Sequence, residues 1–161
     1  MLNRIIKEDN FTTFIQAKLI DIERMDSSKN GNPNFKLKFA QAAKKRGQKS
    51  KARQLAREAI ALNPNMGRAY LFIASLYASS VNACGTNEFE KRMTYVAAYN
   101  KAVRASRVDP SISSVARKFT RNYKANFPSK KVIFTEGFNE VAPSKVKCWI
   151  NESVNITSSR K

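Results

Sequence analysis

Few residues of this chain are of a type suited to chemistry, and each lacks the partner its chemistry needs. Histidine is absent from all 161 residues, which removes the commonest general base and the commonest metal ligand. Cys84 and Cys148 are the only cysteines; without histidine they fall short of an ordinary structural zinc site, and they are too few for a disulfide scaffold. Cys84 as a nucleophile would need a base that the chain does not supply. The carboxylates of Asp21 and Glu23, and of Glu88 and Glu90, are spaced two apart, so on a helix they face apart and read as surface. Five glycines never form a loop that could cradle phosphate. Asn10-Phe11-Thr12, Asn151-Glu152-Ser153 and Asn155-Ile156-Thr157 match glycosylation sequons, a pattern common by chance and silent about location. The expectation is a non-enzyme with no catalytic residue, no metal and no cofactor.

Positive charge is what the chain has in excess. The net charge is +18 and the isoelectric point is near 10.3, so acidic partners are expected. From Ser27 through Arg57 no acidic residue occurs, while ten basic ones run from Lys29 to Arg57. That run reads either as a solvated helical surface or as a binding face for anionic groups. Lys44-Lys45-Arg46 resembles a nuclear-localisation-like run, although at a helix end it also suits the helix dipole. A nucleic-acid reader interleaves exposed aromatics with its cations, and here only Phe35 and Phe39 do so. Protein is therefore favoured over RNA or an anionic membrane surface as the partner, and any nucleic-acid binding should be non-specific. Trp149 reads as a core or hairpin aromatic rather than a stacking platform.

The elements that must position these charges centre on Pro33 to Pro64, two short amphipathic helices joined at Gly47. Phe39, Ala40 and Ala43 form one stripe of the first; Ala52, Leu55, Ala56, Ala59 and Leu62 form one stripe of the second. Asn63-Pro64-Asn65 ends the pair, and Met66 to Ala78 follows as a helix apolar nearly all round. After a polar loop holding Cys84-Gly85, Thr86 or Asn87 caps a long helix from Glu88 to Val108, with Phe89, Met93, Val96 and Tyr99 inward. Asp109-Pro110 breaks it, and Ile112, Val115, Ala116, Phe119 and Tyr123 mark a further helix that ends near Phe127-Pro128. Before all of these, Asn10 to Met25 is expected as a helix with Phe11, Phe14, Ile15, Leu19 and Ile22 on one stripe, capped by Asp9 or Asn10. A linker from Ser27 to Pro33 follows it.

The unit from Pro33 is about 34 residues long and resembles a tetratricopeptide repeat. Phe39-Ala40 stands for the family's Leu-Gly, Gly47 for its turn glycine, Ala52 and Ala59 for its second-helix alanines, and Leu62-Asn63-Pro64 for its closing Leu-Asp-Pro. Lys36, Ala43 and Ala56 depart from the family's Trp, Tyr and aromatic. A second unit matches through Tyr70, Ile73, Ala74 and Tyr77, then through Ala98, Ala102, Ala105, Val108 and Asp109-Pro110, with roughly a dozen extra residues between its halves. The resemblance implies a superhelix of antiparallel helix pairs that binds protein or peptide.

From Lys131 the period changes. Val132-Ile133-Phe134 and Val146-Lys147-Cys148-Trp149-Ile150 read as two β-prone runs, extended by Val154 and Ile156, forming a small antiparallel hairpin against the last helix. This tail resembles the ends of cell-envelope tetratricopeptide proteins of Bacteroidota, through Tyr77-Ala78, Ser80, Cys84-Gly85, Phe127-Pro128, Glu136-Gly137 and Cys148-Trp149-Ile150. Val141-Ala142-Pro143-Ser144 departs from that pattern. The resemblance implies the cell envelope or periplasm. The beginning MLNRIIKEDN lacks a signal peptide's apolar core, so the expectation is either a cytoplasmic protein or a chain that starts after processing or truncation, and no apolar run approaches a transmembrane span.

The fold expected is mainly α: residues 1–32 as a packing helix and linker, 33–128 as two tetratricopeptide-like repeats with a capping helix, and 129–161 as a β-hairpin appendix and tail. The function expected is a non-catalytic scaffold that holds an acidic peptide or protein in a basic groove. That groove should comprise Asn34, Leu37, Gln41 and Lys44 on one first helix and Arg68, Leu71 and Ser75 on the next, since each set lines one helix face. Leu37 and Leu71 would be its apolar contacts. Cys84 and Cys148 should come within disulfide reach on the C-terminal side of the second repeat, given an oxidising compartment; two separate buried thiols are the alternative.

Overall fold

The computed structural model describes residues 31–160; the helix expected from Asn10 to Met25 and most of the linker after it lie outside that range. The described chain is mainly helical with one small C-terminal sheet.

Helix α1 (Pro33–Lys45) starts where Asn32 accepts the Asn34 amide and Pro33 takes the first helical position, where its missing N–H costs nothing. Lys44 and Lys45 stand in its last turn, complementing the dipole. Gly47 reverses the chain at φ 75°, a conformation open to glycine without strain, and α2 (Lys49–Leu62) packs back on α1. Asn63-Pro64 then ends α2, and α3 (Gly67–Ala78) begins at once. A Cβ on Gly67 would stand 2.6 Å from both Asp109 Cβ and Ile112 Cδ1, so only glycine lets the start of α3 approach this close.

The one-turn α4 (Val81–Cys84) leads to α5 (Glu88–Val108). Asn87 accepts the Glu90 amide at 2.8 Å, while the Glu90 carboxylate accepts the amide and hydroxyl of Thr86. The first bond satisfies an orphan donor at the helix start, and the other two tie Glu90 back to the residue before the cap, a variant of the capping box. Asp109-Pro110 breaks α5 into a 3-10 turn (Pro110–Ile112), and α6 (Ser113–Ala125) and α7 (Lys130–Thr135) follow. Helix α3 lies between α2 and α5, and α5 lies between α3 and α6. The core is accordingly alanine-rich at the helix contacts, filled by Ile73, Leu76, Tyr77, Met93 and Val96.

Strands β1 (Pro143–Val146) and β2 (Glu152–Asn155) form an antiparallel pair in the register Pro143 to Asn155 and Val146 to Glu152, packed against α5. Two expectations fail here. Val132-Ile133-Phe134 is helical, because the Ser129 hydroxyl caps the Val132 amide just after Pro128 and only Ile133 of the three is buried; β-propensity yields to such local capping. Lys147 to Ile150 is the hairpin turn rather than a strand. Asn151 closes that turn at φ 49°, a region asparagine tolerates.

Phe39 and Leu62, expected in the core stripes, are exposed. On α1 the buried set is Leu37, Ala40 and Ala43, so the inward stripe is turned toward Leu37 and Phe39 is carried out. The same turn decides which face stays open.

Candidate interaction surface

The two stripes expected to form a groove do lie side by side. Arg68 on α3 donates to the Asn34 side chain, and Lys44 Nζ on α1 stands 3.4 Å from Ser75 Oγ. Ser75 itself donates to the Phe72 carbonyl at 2.7 Å. Gln41 is exposed beside them.

Leu37 and Leu71 are not apolar contacts for a partner. Their exposures are 5% and 8%, because both point into the core instead of lining the surface. The open stripes keep Asn34 and Gln41 on α1 and Arg68 and Ser75 on α3, and take Lys38 and Phe72 in place of the buried Leu37 and Leu71, with Lys45 exposed beside Lys44. Both sets keep the spacing of one helix face. Between them opens a pocket of about 700 Å³ lined by Lys38, Gln41, Ala42, Lys44, Lys45 and Phe72. Lys44 Nζ stands 5.8 Å from the Phe72 ring centre, a cation–π distance. Phe72 was missed because a helix apolar nearly all round does not reveal which of its apolar residues faces out.

Much of the basic run from Ser27 to Arg57 is engaged within the protein itself. Lys36 pairs with Glu58 at 2.6 Å, and this bond holds the Glu58 carboxyl below its ordinary value. Lys49 donates to the Ser79 carbonyl and to Ser80 Oγ. Arg53 donates to the carbonyls of Ile150 and Trp149 at 2.5 and 2.9 Å, and Arg57 pairs with Glu152 at 2.9 Å. Lys38 and Lys45 remain exposed on the open stripe.

No protein-family model, curated protein or solved structure matches this chain. Its function must be read from its own geometry.

Arg53 belongs to a second cluster, which fastens the hairpin. Its guanidinium lies 5.0 Å from the Trp149 ring centre and 6.0 Å from that of Tyr77. The Tyr77 hydroxyl donates to Glu152 Oε1 at 2.5 Å, and Lys101 reaches Glu152 Oε2 at 3.2 Å. Burial alone would raise the Glu152 carboxyl, but Tyr77, Lys101 and Arg57 outweigh it and hold it below its ordinary value. Burial, aided by the Glu152 contact, pushes the Tyr77 hydroxyl up to about 12. Beside this cluster a disulfide joins Cys84 to Cys148, with Cα atoms 4.8 Å apart across 64 positions of sequence. Every ionisable group of this cluster is consumed by another, so its chemistry is that of a clamp.

Among the described residues no group of histidine, cysteine, aspartate or glutamate could hold a metal ion. No helix among them is long and apolar enough to cross a membrane.

Proposed function

We propose that the protein is a non-catalytic interaction module, a tetratricopeptide-like scaffold that holds an acidic peptide or an acidic segment of a protein along the open stripes of α1 and α3. The observation that carries this reading is the pocket between those stripes, lined by Lys38, Lys44, Lys45 and Phe72, with Lys44 Nζ over the Phe72 ring. Such a surface offers ammonium donors to carboxylates and one apolar contact to an anchoring side chain, which is how an extended acidic peptide is recognised. Successive packing of α1 on α2, α2 on α3 and α3 on α5 supports the repeat reading, with α4 and its flanking loops absorbing the insertion within the second unit. A nucleic-acid strand is the weaker fit at this place, because Phe72 is the only aromatic lining the pocket and is half-buried.

The test is binding of a synthetic glutamate-rich peptide with one leucine, followed by fluorescence anisotropy. Replacing Lys38 and Lys45 together with glutamate should abolish binding while lowering the melting temperature only slightly, as both side chains are exposed and Lys45 gives up no more than a favourable helix-end charge. Unaltered binding by that variant rejects the reading.

A further inference from the structure

A second stretch free of acidic residues runs from Pro110 through Thr135, with Arg117, Lys118, Arg121, Lys124, Lys130 and Lys131 in it. All six are exposed. In contrast to the run on α1 and α2, none of these side chains has an ion-pair or hydrogen-bond partner among the described residues. On α6 the inward face carries Ala116, Phe119 and Tyr123, with Tyr123 packed 6.3 Å from Tyr95 of α5. Arg117, Arg121 and Lys124 follow the spacing of a different, outward face.

The chain turns at Asn126 to Ser129 and enters α7 directly. Arg92, near the start of α5, approaches the carbonyls of Asn126 and Phe127, and Phe89 stacks on Phe138 at 4.8 Å. These contacts bring the end of α6, α7 and the loop after it to one end of the helix stack. On α7, Lys130 and Lys131 precede Phe134 by four and three positions, one turn away on the same side. Phe134 is 84% exposed and Val141, in the following loop, 74%. Two carboxylates, Glu136 and Glu140, stand against the six cations.

We infer that this face of α6 and α7 docks on an anionic lipid surface, with the cations meeting headgroup phosphates and carboxylates while Phe134 and Val141 enter the headgroup layer. Exposed apolar side chains on an element that also carries unpaired cations are the composition of an interfacial anchor, and each lysine or arginine near such a surface favours binding by roughly fivefold. Single-stranded nucleic acid would need a series of free ring faces for its bases. Here Phe138 already spends one face on Phe89, and the other exposed apolar side chain of this loop, Val141, has no ring. The surface is separate from the pocket of α1 and α3, and the inference does not rest on that reading.

The experiment is co-sedimentation of the full chain with vesicles of phosphatidylcholine alone and of phosphatidylcholine with one third phosphatidylserine, in parallel with binding to single-stranded polyuridylate. Sedimentation with the phosphatidylserine vesicles only, weakened by added salt, is expected. The variant Arg121→Glu/Lys130→Glu/Lys131→Glu should partition on the order of a hundredfold less or weaker. Phe134→Ser should weaken partition by roughly tenfold. The Lys38→Glu/Lys45→Glu variant should sediment like the wild type, which keeps this test distinct from that of the peptide pocket. Equal sedimentation with both vesicle types, undiminished partition of the triple variant at an unchanged melting temperature, or retention of polyuridylate but not vesicles through these residues would each overturn the inference.

Discussion

Arg53 and Trp149 are joined twice: the guanidinium lies 5.0 Å from the indole centre and also donates to the Trp149 carbonyl at 2.9 Å. One side chain from α2 thus fixes both the ring and the backbone of the hairpin turn, and its other nitrogen serves the Ile150 carbonyl. Without it two carbonyls of a partly buried turn would lose their donors. Arg53→Met should cost about 3 kcal/mol in urea unfolding, from lost charged hydrogen bonds and the cation–π contact. Arg53→Lys should recover only part of that, since an ammonium lacks the planar fork.

The Tyr77 and Glu152 pair should limit stability at both ends of the pH range. Glu152 is held below its ordinary value of 4.5, so its contribution is present above that value and is lost as pH falls through the folded one. Tyr77 is raised from 10.0 to about 12; its contribution is complete below 10.0 and is lost as pH rises toward 12. Urea midpoints measured across pH should show a flattened acid limb for Glu152→Gln. Tyr77→Phe should flatten the alkaline limb in part, because burial also raises Tyr123 to about 12.

The bounds of α5 were legible because Asn87 supplies a side-chain cap and Asp109-Pro110 a stop, both local signals. The turn at Gly47 was legible for the same reason. By contrast, Arg53 meets Trp149 and Ile150 from 96 and 97 positions away, and no local pattern announces such a contact. One signal was available: Glu152 is the only carboxylate side chain after Glu140, and a lone acid in a basic tail invites a cationic partner. The rotation of α1 was hidden because Phe39 outranks Leu37 in size, whereas Leu37 is the one the seam accommodates.

Joining Cys84 to Cys148 closes a long loop, with 64 positions between its ends. Constraint of the unfolded chain by such a loop contributes roughly 4 kcal/mol. Cys84→Ser/Cys148→Ser should therefore unfold at a markedly lower urea midpoint than the oxidised wild type, and wild type with reductant should approach the variant. Equal midpoints for all three would show that the bond contributes nothing.

Gly67 should tolerate no side chain. Its hypothetical Cβ meets Asp109 Cβ, Ile112 Cδ1 and, at 2.8 Å, the Ala105 carbonyl, two of them parts of backbone or of a short side chain that cannot swing away. Gly67→Ala should cost about 1–3 kcal/mol by overpacking, although alanine is the better helix former. A thermal melt at or above the wild-type temperature would mean that α3 and the 3-10 turn separate freely.

Leu37 and Phe72 should divide stability from binding. Leu37 is buried and Phe72 lines the open pocket, so truncation of each has a different consequence. Leu37→Ala leaves a cavity and should cost about 3 kcal/mol of unfolding free energy, yet the variant that still folds should hold the glutamate-rich peptide as the wild type does. Phe72→Ala removes the ring beneath Lys44 and should weaken that peptide by roughly tenfold, the effect of losing a well-placed apolar anchor, while lowering stability by less than Leu37→Ala. Paired urea melts and anisotropy titrations separate the two. The reverse pattern, with Leu37 controlling affinity and Phe72 only stability, would restore the groove of Leu37 and Leu71 and remove the pocket of Lys38, Gln41 and Lys45 as the place where a partner sits.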